Sequence, residues 1–544
     1  MVTTFGAADR AKRVASEPLR PILPLWGAVL AAAAAGVLMN LAFPGAAVWL
    51  AAFPATALLL VALIGRRAGG ALLVGFVYGA TFFLLLVSWT SRYLGPIPWL
   101  ALGLLEGLLT AICVIPIALA YRWIPTQVRN GAGQMLLLSS CIAALWTGRE
   151  VLLGSWPYGG FPWARIGMTQ SSTAAAELSS WVGVSGLGFV MVMLVAVALE
   201  MLRARVWRRE LAAVASSRNP RWIIIAPVIL LALLTVLPAF PTTVSGSMRV
   251  AAVQGNGPTG YFDEREPFAV IQAQVDATKP LYGENIDLLV WPEGGIEADP
   301  FENAGLARML SRVVSQTGAP LLANAATSVA DRYYNTSFLW NEGVGMPQRS
   351  EVPTHSKRHP VPFGEYVPDR EFFAAIVPDL IGLIQREYTA GTDTPVVAVG
   401  GTPVGLAICF DVIYDDVIHA GIFGGAEVLI FQTNNADFRG TDENLQQLSF
   451  ARMRAIETGR SVVNISTVGT SQIIRSNGST MAAIDADRPG ALLEDVELRT
   501  GATAGVFLGP YVEAIALWGG LLLTAGAGML LRVRQRSTKD SEND

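Results

Sequence analysis

Charge is what this 544-residue chain has least of. Asp, Glu, Lys and Arg make up 15% of it, against roughly 25% in an ordinary soluble domain. With 52% hydrophobic residues, that deficit excludes a fully solvated protein and argues for a membrane protein with a soluble part. The formal net charge of −4 hides an uneven layout. Basic residues cluster in short loops, and acids concentrate between residues 260 and 500. This is not the basic face of a nucleic-acid binder. Cysteine is scarce too. Cys113 and Cys141 lie inside long apolar stretches, so the three cysteines offer no disulfide framework. Cys409 alone lies in the large polar segment.

The apolar stretches are the first thing that is present. A bilayer crossing needs ~20 apolar residues. Runs near 22–43, 47–64, 70–90, 99–121, 133–149, 181–202, 222–240 and 510–531 predict eight spans. The first follows Arg10, Lys12, Arg13 and Arg20, as a signal peptide would. Its length exceeds the ~7–15 residues of a signal-peptide core, and more runs follow, so a span is expected instead. The positive-inside rule orients the set. With a cytoplasmic N-terminus, the inner loops carry Arg66 and Arg67, then Arg122 and Arg129, then the arginines from Arg203 to Arg221, and finally Arg532, Arg534, Arg536 and Lys539. The short outer loops carry little beyond Arg92. The expected organisation is a cytoplasmic segment at 1–21, a seven-helix membrane domain at 22–243, an extracytoplasmic domain at 244–508, a last span at 509–532 and a cytoplasmic tail at 533–544. Residues Ser537–Asp544 are polar and expected to be disordered.

Residues 248–508 read as α/β. Short β-rich runs occur at Arg249–Gln254, Ile286–Trp291, Pro320–Ala323, Thr336–Trp340, Pro395–Val399, Val404–Cys409 and Val428–Gln432. Several are apolar on consecutive residues, as strands buried on both faces are. Helical patterns lie at Pro267–Thr278, Ala304–Thr317 and Glu443–Thr458.

Three polar residues stand at or after the ends of these runs. Ile286–Trp291 leads into Glu293, Val404–Ile408 leads into Cys409, and Lys357 sits in a Pro-rich loop. Ligands favour strand ends at one edge of an α/β sheet. If the two strands are parallel neighbours, Glu293 and Cys409 emerge together. A free thiol has a pKa of ~8.5, so a carboxylate beside it can act as its base. A helix beginning at Cys409 would favour thiolate. An ammonium and the Phe410 backbone N–H could hold an oxyanion. Each residue also has a plain reading: a buried structural cysteine, a loop acid, a solvated lysine, or helix-start acids at Asp411, Asp415 and Asp416. His355 and His359 have i,i+4 spacing, but Pro360 and Pro362 oppose a helix there and no third ligand is evident, so neither a metal nor a cofactor is expected. Spacing alone leaves these alternatives open.

At these residues the chain resembles the apolipoprotein N-acyltransferases, integral-membrane members of the nitrilase (carbon-nitrogen hydrolase) superfamily, and in particular actinobacterial members. The resemblance runs over nearly the whole chain. It rests on Val253-Gln-Gly-Asn256, Val290-Trp-Pro-Glu293, Tyr334-Asn-Thr336, Lys357 with Val361-Pro-Phe-Gly-Glu365, Ile408-Cys-Phe-Asp411, Ala451–Arg460 and Gly160-Phe-Pro-Trp163. It implies an α-β-β-α sandwich on an eight-helix membrane domain in the bacterial cytoplasmic membrane. It also implies Glu293 as general base, Lys357 as oxyanion-stabilising lysine, Cys409 as nucleophile, Glu365 as a second, site-organising glutamate, and Phe410–Asp411 as the aromatic–acid pair after the nucleophile. The implied reaction passes an acyl chain from a phospholipid through a Cys409 thioester to the α-amine of a diacylglyceryl-cysteine apolipoprotein. A polyprenol-phosphate mannose synthase is a possible partner in trans. A tethered amidase and a non-catalytic scaffold are the competing classes. The sequence departs from the family pattern at His355, Pro360, Asp411, Asp437 and Thr467-Val-Gly469.

Overall fold

A computed structural model describes residues 19–127, 131–211, 221–342 and 347–543. The expected N-terminal segment 1–21 lies outside them except for its last three residues, as do Arg129 and Arg218. The chain forms two compact units. One comprises residues 1–88, 97–238 and 508–544, and the other residues 89–96 and 239–507.

The first unit is helical. Among the described residues six helices are long and apolar enough to cross a bilayer: Leu25–Ala42, Ala68–Leu86, Pro96–Thr126, Ala132–Leu153, Ala174–Arg203 and Ala504–Ser537. Two shorter apolar helices, Trp49–Leu63 and Arg221–Thr235, stand where two further spans were expected. A 15-residue helix rises only about 22 Å, short of a ~30 Å hydrocarbon core. Glycines let the helices approach closely, as small residues do in membrane bundles. A Cβ on Gly79 would lie 2.9 Å from Gly107 Cα, and one on Gly148 would lie 2.8 Å from Leu517 Cα. Trp26, Leu30, Ile515, Trp518 and Leu522 point outward and are exposed, an apolar surface too large for water. Inside, the Glu150 carboxylate accepts from Trp146 Nε1 at 2.8 Å, Ile166 N at 3.1 Å and Arg149 at 3.2 Å. The last helix runs from Ala504 to Asn543, so the disorder expected from Ser537 onward is not seen at 537–543. Helix propagation adds one bond per residue, and a packed span has already formed the nucleus.

The second unit is a two-sheet sandwich. Its strands are β1 (Thr243–Gln254), β2 (Leu288–Val290), β3 (Leu321–Val329), β4 (Arg332–Trp340), β5 (Thr354–Ser356), β6 (Val396–Val399), β7 (Thr402–Ile408), β8 (Val428–Thr433), β9 (Val462–Ser466), β10 (Ser471–Ile474), β11 (Thr480–Ile484) and β12 (Gly490–Thr500). One sheet has the order β12-β1-β2-β3-β4-β5 and the other β11-β10-β9-β8-β7-β6. The centres, β1-β2-β3 and β7-β8-β9, are parallel. Val250, Leu288, Leu322, Val404, Ile430 and Val463 interleave between the sheets. Helices Ala269–Thr278 and Ala304–Thr317 cover the outer face of the first sheet through Ile271, Leu306, Leu310 and Val314. Helices Asp415–Phe423 and Glu443–Thr458 pack on the second. The order of layers is α-β-β-α.

Two features differ from expectation. β2 and β7 are not neighbours, because they belong to different sheets. Segment 89–96, read as the end of a span and a short outer loop, packs within this second unit. Trp89 Nε1 donates to Gln446 Oε1 at 3.2 Å and its ring meets Phe438 edge-on, while Tyr93 O–H donates to the Gly364 carbonyl at 3.4 Å. Indole and phenol rings have an apolar body and a polar tip, which suits them to these mixed contacts.

Candidate active site

β7 ends at Ile408, and Cys409 follows with φ +49°. A non-glycine residue held there is strained, a state that persists only when its surroundings fix it. Cys409 opens a five-residue 3₁₀ turn, Cys409–Ile413, rather than an α-helix. The helix proper starts at Asp415.

Asp411 explains how the corner is held. It is fully buried, and its carboxylate accepts from His359 N at 2.8 Å, Arg358 N at 3.3 Å and Ile408 N at 3.4 Å. One side chain therefore ties the Cys409 turn to the segment immediately after Lys357. Phe410 and Tyr414 pack edge-on, and His359 stacks on Tyr414 with centroids 3.8 Å apart.

Glu293 enters from the other sheet, just past β2. Gly294 donates its N–H to Asn324 Oδ1 at 2.8 Å, and Asn324 Nδ2 donates to Asn335 Oδ1 at 2.9 Å. This fixes the Asn335 amide. Its Nδ2 then donates to Glu293 Oε1 at 2.7 Å and to Glu365 Oε1 at 3.1 Å. Lys357 Nζ lies 2.8 Å from Glu365 Oε2 and 3.5 Å from Glu293 Oε1. Across the sandwich, Gln432 on β8 donates to the Trp291 carbonyl at 2.6 Å. Face-to-face stacking, not strand adjacency, thus brings the two motifs together.

The electrostatics follow from burial. The Cys409 thiol is raised well above its usual value by burial and by the Glu293 charge, with Lys357 opposing. Glu293 is also raised, by burial first and by Glu365 as well, with Lys357, Asn335 and Cys409 opposing. Burial disfavours the Lys357 ammonium, but Glu365 and Glu293 outweigh it and hold its pKa well above the usual lysine value. Lys357 is therefore held as a cation between the two glutamates.

The structure brings Glu293, Lys357, Glu365, Cys409, Phe410 and Asp411 together. His355 stands apart, with Nδ1 2.9 Å from Asp393, and His359 faces Asp416. Among the described residues no group of three or more His, Cys, Asp or Glu side chains is placed to hold a metal. Sequence reasoning gave no role to Asn335 or Asn324, nor to Gln447, whose Nε2 lies 3.5 Å from Cys409 Sγ. Tyr334-Asn-Thr336 was visible as a motif, but only β3–β4 pairing shows what its amide touches.

Such a thiol, carboxylate and ammonium on an α-β-β-α sandwich define a carbon-nitrogen hydrolase domain, and residues 249–503 match the carbon-nitrogen hydrolase family model. Residues 35–198 match the model of the apolipoprotein N-acyltransferase N-terminal domain. Over 96% of its length the chain is 30% identical to the apolipoprotein N-acyltransferase of Mycolicibacterium smegmatis, of which it covers 87%. It is 28% identical to those of Methylococcus capsulatus, over 90% of this chain and 92% of that protein, and Azotobacter vinelandii, over 94% and 97%. The chain belongs to the apolipoprotein N-acyltransferase family.

Proposed function

We propose that this membrane acyltransferase works in two half-reactions at Cys409. In the first, Glu293 takes the thiol proton as the sulfur attacks an ester carbonyl of a phospholipid. Lys357 and a backbone N–H at the Cys409 turn stabilise the oxyanion. The carbon–oxygen bond breaks, Glu293 returns the proton to the departing lysophospholipid alkoxide, and a thioester remains. In the second, the α-amine of a diacylglyceryl-cysteine at an apolipoprotein N-terminus attacks the thioester. Glu293 accepts the amine proton, the carbon–sulfur bond breaks, and the proton returns to sulfur. The product is an amide. Glu365 and Asn335 hold Lys357 and Glu293 in place, and Asp411 holds the two loops in register.

The observation that carries this reading is the Glu293–Lys357–Glu365 cluster, with Glu293 and Lys357 buried, set against the strained Cys409 turn. Both substrates are held in lipid by their acyl chains, which accounts for a catalytic domain joined to apolar helices. We place residues 244–508 on the extracytoplasmic side, with the two shorter apolar helices completing eight membrane segments. The arginine-rich connections support that orientation.

Intact-protein mass spectrometry on protein incubated with phospholipid tests the chemistry. The expected result is an acyl adduct that hydroxylamine removes and that Cys409→Ser lacks. An adduct that persists in Cys409→Ser refutes it. Release of free acid from small amides, without transfer to a lipopeptide amine, would instead indicate an amidase.

A further inference from the structure

The mechanism leaves one buried carboxylate beside the nucleophile unused. Glu443 and Gln447 stand four residues apart on helix Glu443–Thr458, so they share a face. Both are buried, at 3% exposure each.

A directed chain of hydrogen bonds links them to the sulfur. Ser466 Oγ accepts the Gly469 N–H at 2.9 Å and donates to Asn435 Oδ1 at 2.6 Å. That fixes the Asn435 amide, whose Nδ2 donates to Glu443 Oε2 at 2.7 Å and to Gln447 Oε1 at 2.9 Å. Gln447 must then turn its own amide nitrogen toward Cys409 Sγ. Gly469 leaves room for this arrangement, since a Cβ there would lie 2.2 Å from Asn435 Oδ1.

We propose that Glu443 is a positioning residue for Cys409. Through Asn435 it holds the Gln447 amide as a donor to the sulfur, while the negative charge of its carboxylate opposes the thiolate. The inference rests on the reading of Cys409 as nucleophile. A donor on the sulfur favours both the attacking thiolate and its departure from the thioester. The opposing charge makes thiolate formation depend on whether Glu443 carries its proton. Charged groups acting on Glu443 come from Glu293, on the loop after β2, with the Cys409 sulfur beside it; Asn435 and Gln447 are neutral. Burial first, and Glu293 second, push Glu443 up to about 8, with Asn435 opposing. Its charge therefore appears between neutral and mildly alkaline pH.

The test is the rate of Cys409 alkylation by iodoacetamide on the full-length protein in detergent, read on the Cys409 peptide by mass spectrometry from pH 6 to pH 9. Two variants separate charge from position. Glu443→Gln keeps an acceptor for Asn435 and removes the charge. It should match wild type at pH 6 and react about tenfold faster at pH 9, because wild type alone acquires the opposing charge. Glu443→Ala lacks both charge and acceptor, so it should run about tenfold below Glu443→Gln throughout, the effect of one lost hydrogen bond. If Glu443→Ala does not fold, Gln447→Leu replaces it: a roughly tenfold loss with the wild-type pH dependence supports positioning, and an unchanged rate refutes it. Superimposable profiles for Glu443→Gln and wild type, or equal rates for Glu443→Ala and Glu443→Gln, overturn the proposal. Alkylation needs no lipid. Normal alkylation with no acyl adduct from phospholipid would refute the acyl-transfer reading and leave this inference decided by its own data.

Discussion

Asp411→Asn is the sharpest test of how the site is assembled. The substitution is isosteric and fully buried, so it changes hydrogen bonding and charge, not volume. The asparagine oxygen can keep the 2.8 Å bond from His359 N. Its NH₂ then replaces the oxygen that accepts from Arg358 N and Ile408 N. Two donors, one buried and one part-buried, lose their acceptor and face a third donor. An unsatisfied buried group costs ~1–3 kcal/mol, and these bonds are long, so about 1 kcal/mol each is reasonable. Losing charge assistance at His359 adds about 1 kcal/mol more. The sum is about 3 kcal/mol. If all of it appears as misplacement of Lys357 against Cys409, the adduct forms ~10²-fold more slowly. The assay is the initial rate of hydroxylamine-labile acylation of Cys409, with thermal unfolding in detergent as the control for fold. Asp411→Glu keeps the charge but adds a methylene to a filled site, at ~1–3 kcal/mol, and should be the milder variant. A folded Asp411→Asn protein acylating within threefold of wild type would refute the tie between the two loops.

Lys357→Met should slow adduct formation by ~10²–10³, the effect of losing an oxyanion donor, measured in single-turnover acylation. Glu443 also links stability to pH. Its pKa in the fold, about 8, exceeds the ordinary 4.5, so the folded state holds the proton more tightly. That stabilisation is complete below pH 4.5 and is lost as pH rises through about 8. The Tm of wild type should therefore fall relative to Glu443→Gln between pH 6 and 8.5, followed by fluorimetry. In the membrane unit, Glu150→Ala removes the acceptor shared by Trp146, Ile166 and Arg149. It leaves a buried arginine without that partner, a loss of ~3–5 kcal/mol, seen as a lower Tm in detergent.

Much of the fold was legible because its signals are local. The helix expected at Ala304–Thr317 has those bounds, with Asn303 capping its first turn and Gly318 in the left-handed conformation ending it. β8, VLIFQT, is buried at every position, and a continuous apolar run is how such a strand reads. The strands from β9 to β12 went unread. Most of β12 lies half-buried at the sheet edge, so its residues alternate weakly, and partners such as Thr243 and Thr500 are far apart in sequence. The tail helix past Ser537 was missed because composition says nothing of a helix already nucleated upstream.

For the site, the sequence by itself determined the reactive types and their order: a carboxylate past one strand, a lysine in a Pro-rich loop, and a cysteine ending another strand. Those follow from chain-local features. Only the tertiary structure decided what each group touches. Glu293 and Cys409 meet because two sheets stack, not because their strands pair. Asn335 reaches both glutamates because β4 lies beside β3, and Gln447 reaches the sulfur because its helix packs on the second sheet. Hydrogen bonds are directional and extend only about 3 Å. Which amide turns toward which carboxylate or sulfur is therefore fixed by packing between distant segments, and no spacing along the chain encodes it.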